Sequence, residues 1–196
     1  MPANPEGEAI VRARIDREDL QGAATAALQI YGSEIYGFLR ATARDDDLGA
    51  EAFAQLGEDL WRGLAQFRWE ASLRSWCYML ARNALHRLRR DPRRSPARHA
   101  GLSAVEVSAI AEQLRTATAA YNKTEVRDEL AVLRAQLDPE DHELLLLRLD
   151  RQMSWKEIAR IRGGNDDITT RAAALRKRFE RAKDRLRELA LENGLL

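Results

Sequence analysis

Apolar residues in this chain recur at intervals of three and four. Leu20, Ala24, Ala27, Leu28, Tyr31, Ile35, Phe38 and Leu39 keep that spacing over residues 19–42, which places them on one side of a helix. Phe53, Leu56, Leu60, Trp61 and Leu64 do the same over about 48–66, and Leu73, Trp76, Cys77, Leu80, Ala81, Ala84 and Leu88 over about 73–90. A last block, Ala172, Leu175, Phe179, Ala182, Leu186 and Leu189, runs from about Thr169 to Glu192. Val, Ile and Thr are scarce while Ala, Leu, Arg and Glu dominate, a bias toward helix at every position. The expected fold class is all-α.

Punctuation divides the chain into two small helical domains. Pro2, Pro5 and Gly7 among several charges predict a flexible tail over residues 1–18, and residues 19–92 form a first helical bundle. Ser72 is placed to cap its third helix, and Pro92 stops that helix. A segment rich in Pro, Gly and Arg opens a linker over residues 93–121, in which 105–120 is either a mobile or a docking segment. The second domain, residues 122–196, starts with a helix near 122–136. Asp138-Pro139-Glu140-Asp141 then reads as a cap, a proline at the first helical position and acids in the first turn. Ser154-Trp155-Lys156-Glu157 fits a capping box that opens a short helix through Ile161, and Gly163 to Asp167 must be a turn.

The net charge of +1 hides a strong asymmetry. Residues 82–98 hold seven arginines against one aspartate, residues 171–187 hold eight Lys or Arg against Glu180 and Asp184, and residues 45–59 hold only acids. A charged run is often no more than a solvated helix face, but here both basic runs end amphipathic helices. Cys77 is the only cysteine, so no disulfide forms within the chain, and its spacing from His86, His99 and His142 suits no zinc site. It reads as a small core residue. No cofactor or metal is expected. No apolar run approaches a membrane span and no leader pattern opens the chain, so a cytoplasmic protein is expected.

Two constellations carry chemistry. From Ser154 to Arg187 the chain has helix-turn-helix form, in which a second helix can enter the major groove of duplex DNA. Thr169, Thr170, Arg171 and Arg176 lie where base edges are read, and Lys177, Arg178, Arg181 and Arg185 where phosphates are held. In the first domain, Phe67, Trp69, Trp76 and Tyr78 precede a helix ending in arginines. Aromatic rings stack on unpaired bases and arginines hold phosphates, which suits single-stranded nucleic acid. Trp69, in a loop, is expected exposed, and Trp76 serves the core or both core and surface. Arg74, Tyr78, Arg82, His86 and Arg89 are expected on or near the polar face, with Asn83, Arg87 and Arg90 flanking it.

The residues Leu60 to Trp76 and Ala81-Arg82-Asn83 resemble conserved region 2 of bacterial sigma factors of the extracytoplasmic-function class. Leu137 to Leu147, Ser154 to Ala159 and Arg176 to Lys183 resemble region 4 of the same class, and together the blocks cover roughly residues 20–92 and 122–190. The resemblance implies docking on core RNA polymerase and recognition of promoter DNA, both double- and single-stranded. It implies that Asn83, His86, Arg87 and Arg90 contact the −10 element, that the Phe67–Trp76 segment helps open it, and that the helix from Thr169 reads the −35 element. Glu51, Phe53, Gln55, Asp59 and Trp61 would meet the clamp helices of the largest polymerase subunit. An anti-sigma factor is a further partner such a protein can have. The chain departs from the family at Ala54, Gly57 and Glu58 in the polymerase-binding helix, and in a lengthened turn before the last helix.

Two other readings are compatible with these residues: a helix-turn-helix regulator that binds duplex DNA without polymerase, and a helical adaptor with no DNA role. The first leaves the aromatic and arginine block without a use. Enzymatic activity is not expected, because no nucleophile-base set, metal cluster or phosphate-binding glycine loop stands out.

Overall fold

The computed structural model describes residues 4–90, 132–164 and 166–195, and helix is the only regular structure among them. They fall into two compact units, 4–90 in one and 132–195 in the other. The expected linker, the 105–120 segment and most of the expected 122–136 helix lie outside the described residues; residues 132–135 are helical.

The first unit contains α1 (Pro5–Ile15), α2 (Leu20–Ala43), α3 (Asp46–Gly63) and α4 (Leu73–Arg90), with one 3-10 turn at Leu64–Gln66. The helix α1 corrects the expectation of a flexible tail. Asn4 caps it through a side-chain oxygen 2.9 Å from the Gly7 N–H, Pro5 takes the first turn, and Glu6 and Glu8 face the positive helix end. Val11 is fully buried. The Tyr31 hydroxyl accepts from the Asn4 N–H at 3.0 Å and donates to Glu8 Oε1 at 3.0 Å, so α2 holds both ends of the first two turns of α1.

The core of this unit is the seam that the periodicity marks on α2 and α3. Ala24, Ala27, Leu28, Tyr31, Ile35, Phe38 and Leu39 of α2 meet Phe53, Leu56 and Leu60 of α3, all buried. Tyr36 meets Phe53 edge-on at 5.3 Å, and Phe38 meets Tyr78 at 5.1 Å. Between α2 and α3, Arg44 adopts a left-handed conformation (φ 57°) and Asp45 caps α3 by accepting from the Leu48 N–H at 3.0 Å. Ser72 accepts from the Ser75 N–H at 3.2 Å as α4 begins.

On α4 the buried face lies to one side of the expected stripe. Leu73, Arg74, Ser75, Cys77, Tyr78, Ala81, Ala84, Leu85 and Leu88 are buried, whereas Trp76 and Leu80 are half-buried. A buried arginine is possible here because Glu34 of α2 receives it in a fork, Nε to Oε1 at 2.7 Å and Nη2 to Oε2 at 2.8 Å. The Arg74 guanidinium also lies 5.5 Å from the Tyr78 ring centroid.

The second unit contains the end of a helix at 132–135, α5 (Pro139–Leu145), a π-type turn at Leu146–Asp150, α6 (Trp155–Arg162) and α7 (Ile168–Glu192). Asp138 caps α5 by accepting from the Glu140 N–H at 2.9 Å. Both halves of the capping box of α6 are formed, with the Ser154 N–H 2.8 Å from Glu157 and the Glu157 N–H 3.3 Å from Ser154 Oγ. Leu133, Leu137, Leu144 to Leu147, Met153, Ile158, Ile161, Ala172, Phe179, Ala182 and Leu189 make the core. Trp155 meets Phe179 edge-on at 5.3 Å and joins α6 to α7.

Candidate nucleic-acid interface

Helix α4 presents one continuous outward stripe: Trp76, Leu80, Asn83, Arg87 and Arg90. Steps of three and four residues keep them on one side, and fourteen residues of helix span about 21 Å. Trp76 and Leu80 are half-buried and the other three are exposed. Arg82 and His86 flank the stripe and are half-buried.

Three rings gather where the stripe begins. Phe67 stacks on Trp76 with centroids 4.6 Å apart and planes 25° apart, and it meets Trp69 at 4.9 Å and 56°. A Cβ on Gly63 would come within 2.9 Å of the Trp76 ring, so a glycine at the end of α3 lets the indole lie that close. Trp69 is half-buried rather than exposed, with φ at 59°, a region that bulky residues rarely adopt. The guanidinium of Arg12, on α1, lies 4.7 Å from the Trp69 ring centroid.

The structure thus brings together Trp69, Trp76, Asn83, Arg87 and Arg90, with Arg82 and His86 beside them. It removes two expected contacts from the surface. Arg74 is held in the core by Glu34, and Tyr78 is fully buried against Phe38. The aromatic block therefore divides into surface rings (Phe67, Trp69, Trp76) and a core ring (Tyr78). Sequence spacing misplaced Arg74 because it could not show that a carboxylate forty positions earlier stands opposite.

The residues expected to meet polymerase divide in the same way. Phe53 is fully buried against Tyr36 and cannot reach a partner. Glu51, Gln55 and Trp61 are half-buried. Asp59 forms an ion pair with Arg87 of α4 and also accepts from Gln55 Nε2 at 3.2 Å.

In the second unit the turn between α6 and α7 carries left-handed glycines, Gly163 (φ 65°) and Gly164 (φ 124°). Asp167 caps α7 by accepting from the Thr169 and Thr170 N–H groups at 2.8 and 3.2 Å. These backbone hydrogen bonds, to Thr170 and then Thr169, hold its carboxyl below the usual range. Thr169, Thr170, Arg176, Lys177 and Arg181 are exposed on α7, Thr170, Lys177 and Arg181 on the side opposite its buried residues and Thr169 and Arg176 on the flank. Arg171 is half-buried, its side chain against Gly164. Arg178 is turned inward: it reaches Asp138 at 3.0 Å, Glu140 at 2.5 Å and Asp141, the cap and first turn of α5. An assignment of Arg178 to phosphate is corrected by these three acids, which make it a strut between α5 and α7.

Cys77 is buried, and burial pushes its thiol up, which suits an inert core residue. Among the described residues no His, Cys, Asp and Glu side chains group as metal ligands, and no helix is long and apolar enough to cross a membrane. No family model, curated protein or solved structure matches this chain.

The surface residue that sequence reasoning missed is Arg12. A signal for its helix was present: Asn4-Pro5-Glu6 has the same cap, proline and acid order as Asp138-Pro139-Glu140. Only one large apolar side chain, Val11, is buried from α1, so periodicity was silent there.

Proposed function

We propose that this chain is a sigma factor of the extracytoplasmic-function type, which docks on core RNA polymerase and directs it to promoters. The observation that carries the reading is the outward stripe of α4. Surface rings at its start can stack on separated bases, while Asn83 and Arg90 follow along the next turns to reach base edges and phosphates, and Arg87 joins them by giving up its ion pair with Asp59. A helix-turn-helix with exposed Thr169, Thr170, Arg176, Lys177 and Arg181 in the second unit supports a duplex contact at the −35 element. Stacking contributes roughly 1–3 kcal/mol per base, so a few captured bases offset part of the cost of opening the −10 element. The protein then acts by binding and not by chemistry of its own. On α3, Glu51, Gln55 and Trp61 are the residues left to meet polymerase.

A second reading is a duplex-binding regulator that needs no polymerase. It is favoured by the placement of Phe53 in the core and of Asp59 in an ion pair, which removes two polymerase contacts from the surface of α3.

Run-off transcription separates the two. Purified protein added to core polymerase is expected to start transcripts at defined positions on its promoter, with none from core enzyme alone and only weak promoter binding by the protein alone. Tight sequence-specific duplex binding without any stimulation of core polymerase establishes the regulator instead.

A further inference from the structure

The aromatic cluster is supported from a helix that lies outside the region 2 blocks. Trp69 holds a left-handed backbone conformation that is costly for a bulky side chain, so neighbours must hold its ring. Phe67 stands against it on one side, and the Arg12 guanidinium lies over it at 4.7 Å. Arg12 is exposed and has no carboxylate partner among the described residues; a cation in that position is attracted by the ring quadrupole. It is itself well anchored. Next to it, Val11 is fully buried, and one turn earlier Glu8 accepts from the Tyr31 hydroxyl and, at 3.4 Å, from the Arg74 N–H at the start of α4. Gly7 completes the contact, since a Cβ there would come within 2.9 Å of Ile30 Cδ1. The first turns of α1 are therefore tied to both α2 and α4, and Arg12 follows on the next turn above the Trp69 loop.

We propose that Arg12 is a positioning residue for single-strand binding: it holds the Trp69 indole in place so that an unpaired base can stack in the aromatic cluster. This deepens the sigma-factor reading and rests on it. In this role Arg12 acts through the ring and not on the DNA backbone. Its loss weakens capture of separated bases and leaves the count of phosphate contacts unchanged.

The test uses the full chain bound to core RNA polymerase and a fluorescein-labelled single-stranded oligodeoxynucleotide, with anisotropy read over a range of salt. Wild type is expected to bind. Arg12→Gln is expected to bind about 2–5-fold more weakly, the size of an exposed cation–ring contact, with the same dependence on salt. Arg12→Lys, which keeps a cation over the ring, should recover most of the loss. In a Trp69→Ala background Arg12→Gln should cost nothing further, because residues that act as one unit are not additive. Equal or tighter binding by Arg12→Gln overturns the proposal, as does a loss that persists undiminished without Trp69. A salt slope lower by about 0.7 also overturns it, since that is the signature of one lost phosphate contact on a single strand. If the wild-type complex ignores the oligonucleotide, the sigma-factor reading itself fails and this role fails with it; binding by wild type with unaffected variants removes only the role of Arg12.

Discussion

Helices α4 and α7 both carry runs of cations on an amphipathic frame, and they deploy them differently. On α4 the basic stripe starts from three packed rings, and its most buried cation, Arg74, is matched by one glutamate in a bidentate fork. On α7 the one ring, Phe179, is buried, with Lys183 5.2 Å from its centroid, and the inward cation, Arg178, is shared by three acids of one helix start. The first arrangement suits unstacked bases, which need flat partners. The second suits duplex DNA, whose bases are read at their edges and whose phosphates need only charge. Arg74 of α4 and Arg178 of α7, which look available for DNA, are instead turned into the frame, and the two differ in burial. Arg74 has 3% of its side chain exposed and Arg178 has 33%.

That difference sets the largest expected effect. Arg74→Ala strands Glu34 without its partner in a nearly dry site, and loss of one member of a buried pair costs about 3–5 kcal/mol. Urea denaturation of wild type and variant measures it; a change below about 1 kcal/mol would show that Glu34 finds water or another donor. Next in size is the division of labour itself. On the sigma-factor reading proposed above, Trp69→Ala should lower single-strand capture by the polymerase complex by roughly 1–3 kcal/mol and leave duplex binding at the −35 element intact. Arg181→Ala should do the reverse, weakening duplex binding on all sequences and lowering the salt slope by about 0.9. If either variant harms both activities equally, the two helices do not have separate substrates. The smallest effect belongs to Arg178→Ala. Its acids are partly solvated, so the stability loss should be about 1 kcal/mol, seen as a lower denaturation midpoint that high salt narrows toward wild type. Its duplex salt slope should match wild type, and a lower slope would return Arg178 to the phosphate-binding set.

The two capped helix starts show how unevenly the chain can be read. Asp138-Pro139-Glu140 precedes a leucine run, so cap and periodicity agree and α5 is legible. Asn4-Pro5-Glu6 carries the same signal at the start of α1, but only Val11 is buried behind it. What stabilises α1 is non-local: Tyr31, twenty-odd residues away, bonds both Asn4 and Glu8. A window along the sequence does not contain that tyrosine as a neighbour. The same limit explains α4. Its stripe was legible to within one position, because Leu73, Cys77, Ala81, Ala84 and Leu88 are buried as their spacing requires. The placement of Trp76 and Leu80 at the edge, and of Arg74 and Tyr78 inside, depends on Glu34 and Phe38 of α2.

By itself the sequence determined what is periodic or local: the helical class, the starts and stops of α2 to α7, the helix-turn-helix and the concentration of rings and cations in two blocks. Spacing, capping and turn chemistry act within a few residues, so they are written along the chain. Which of those rings and cations face outward was settled across helix interfaces, which also bring in Arg12 from a helix with almost no apolar signal. Burial of a charge depends on whether an opposite charge stands across the interface, and that neighbour is supplied by the fold.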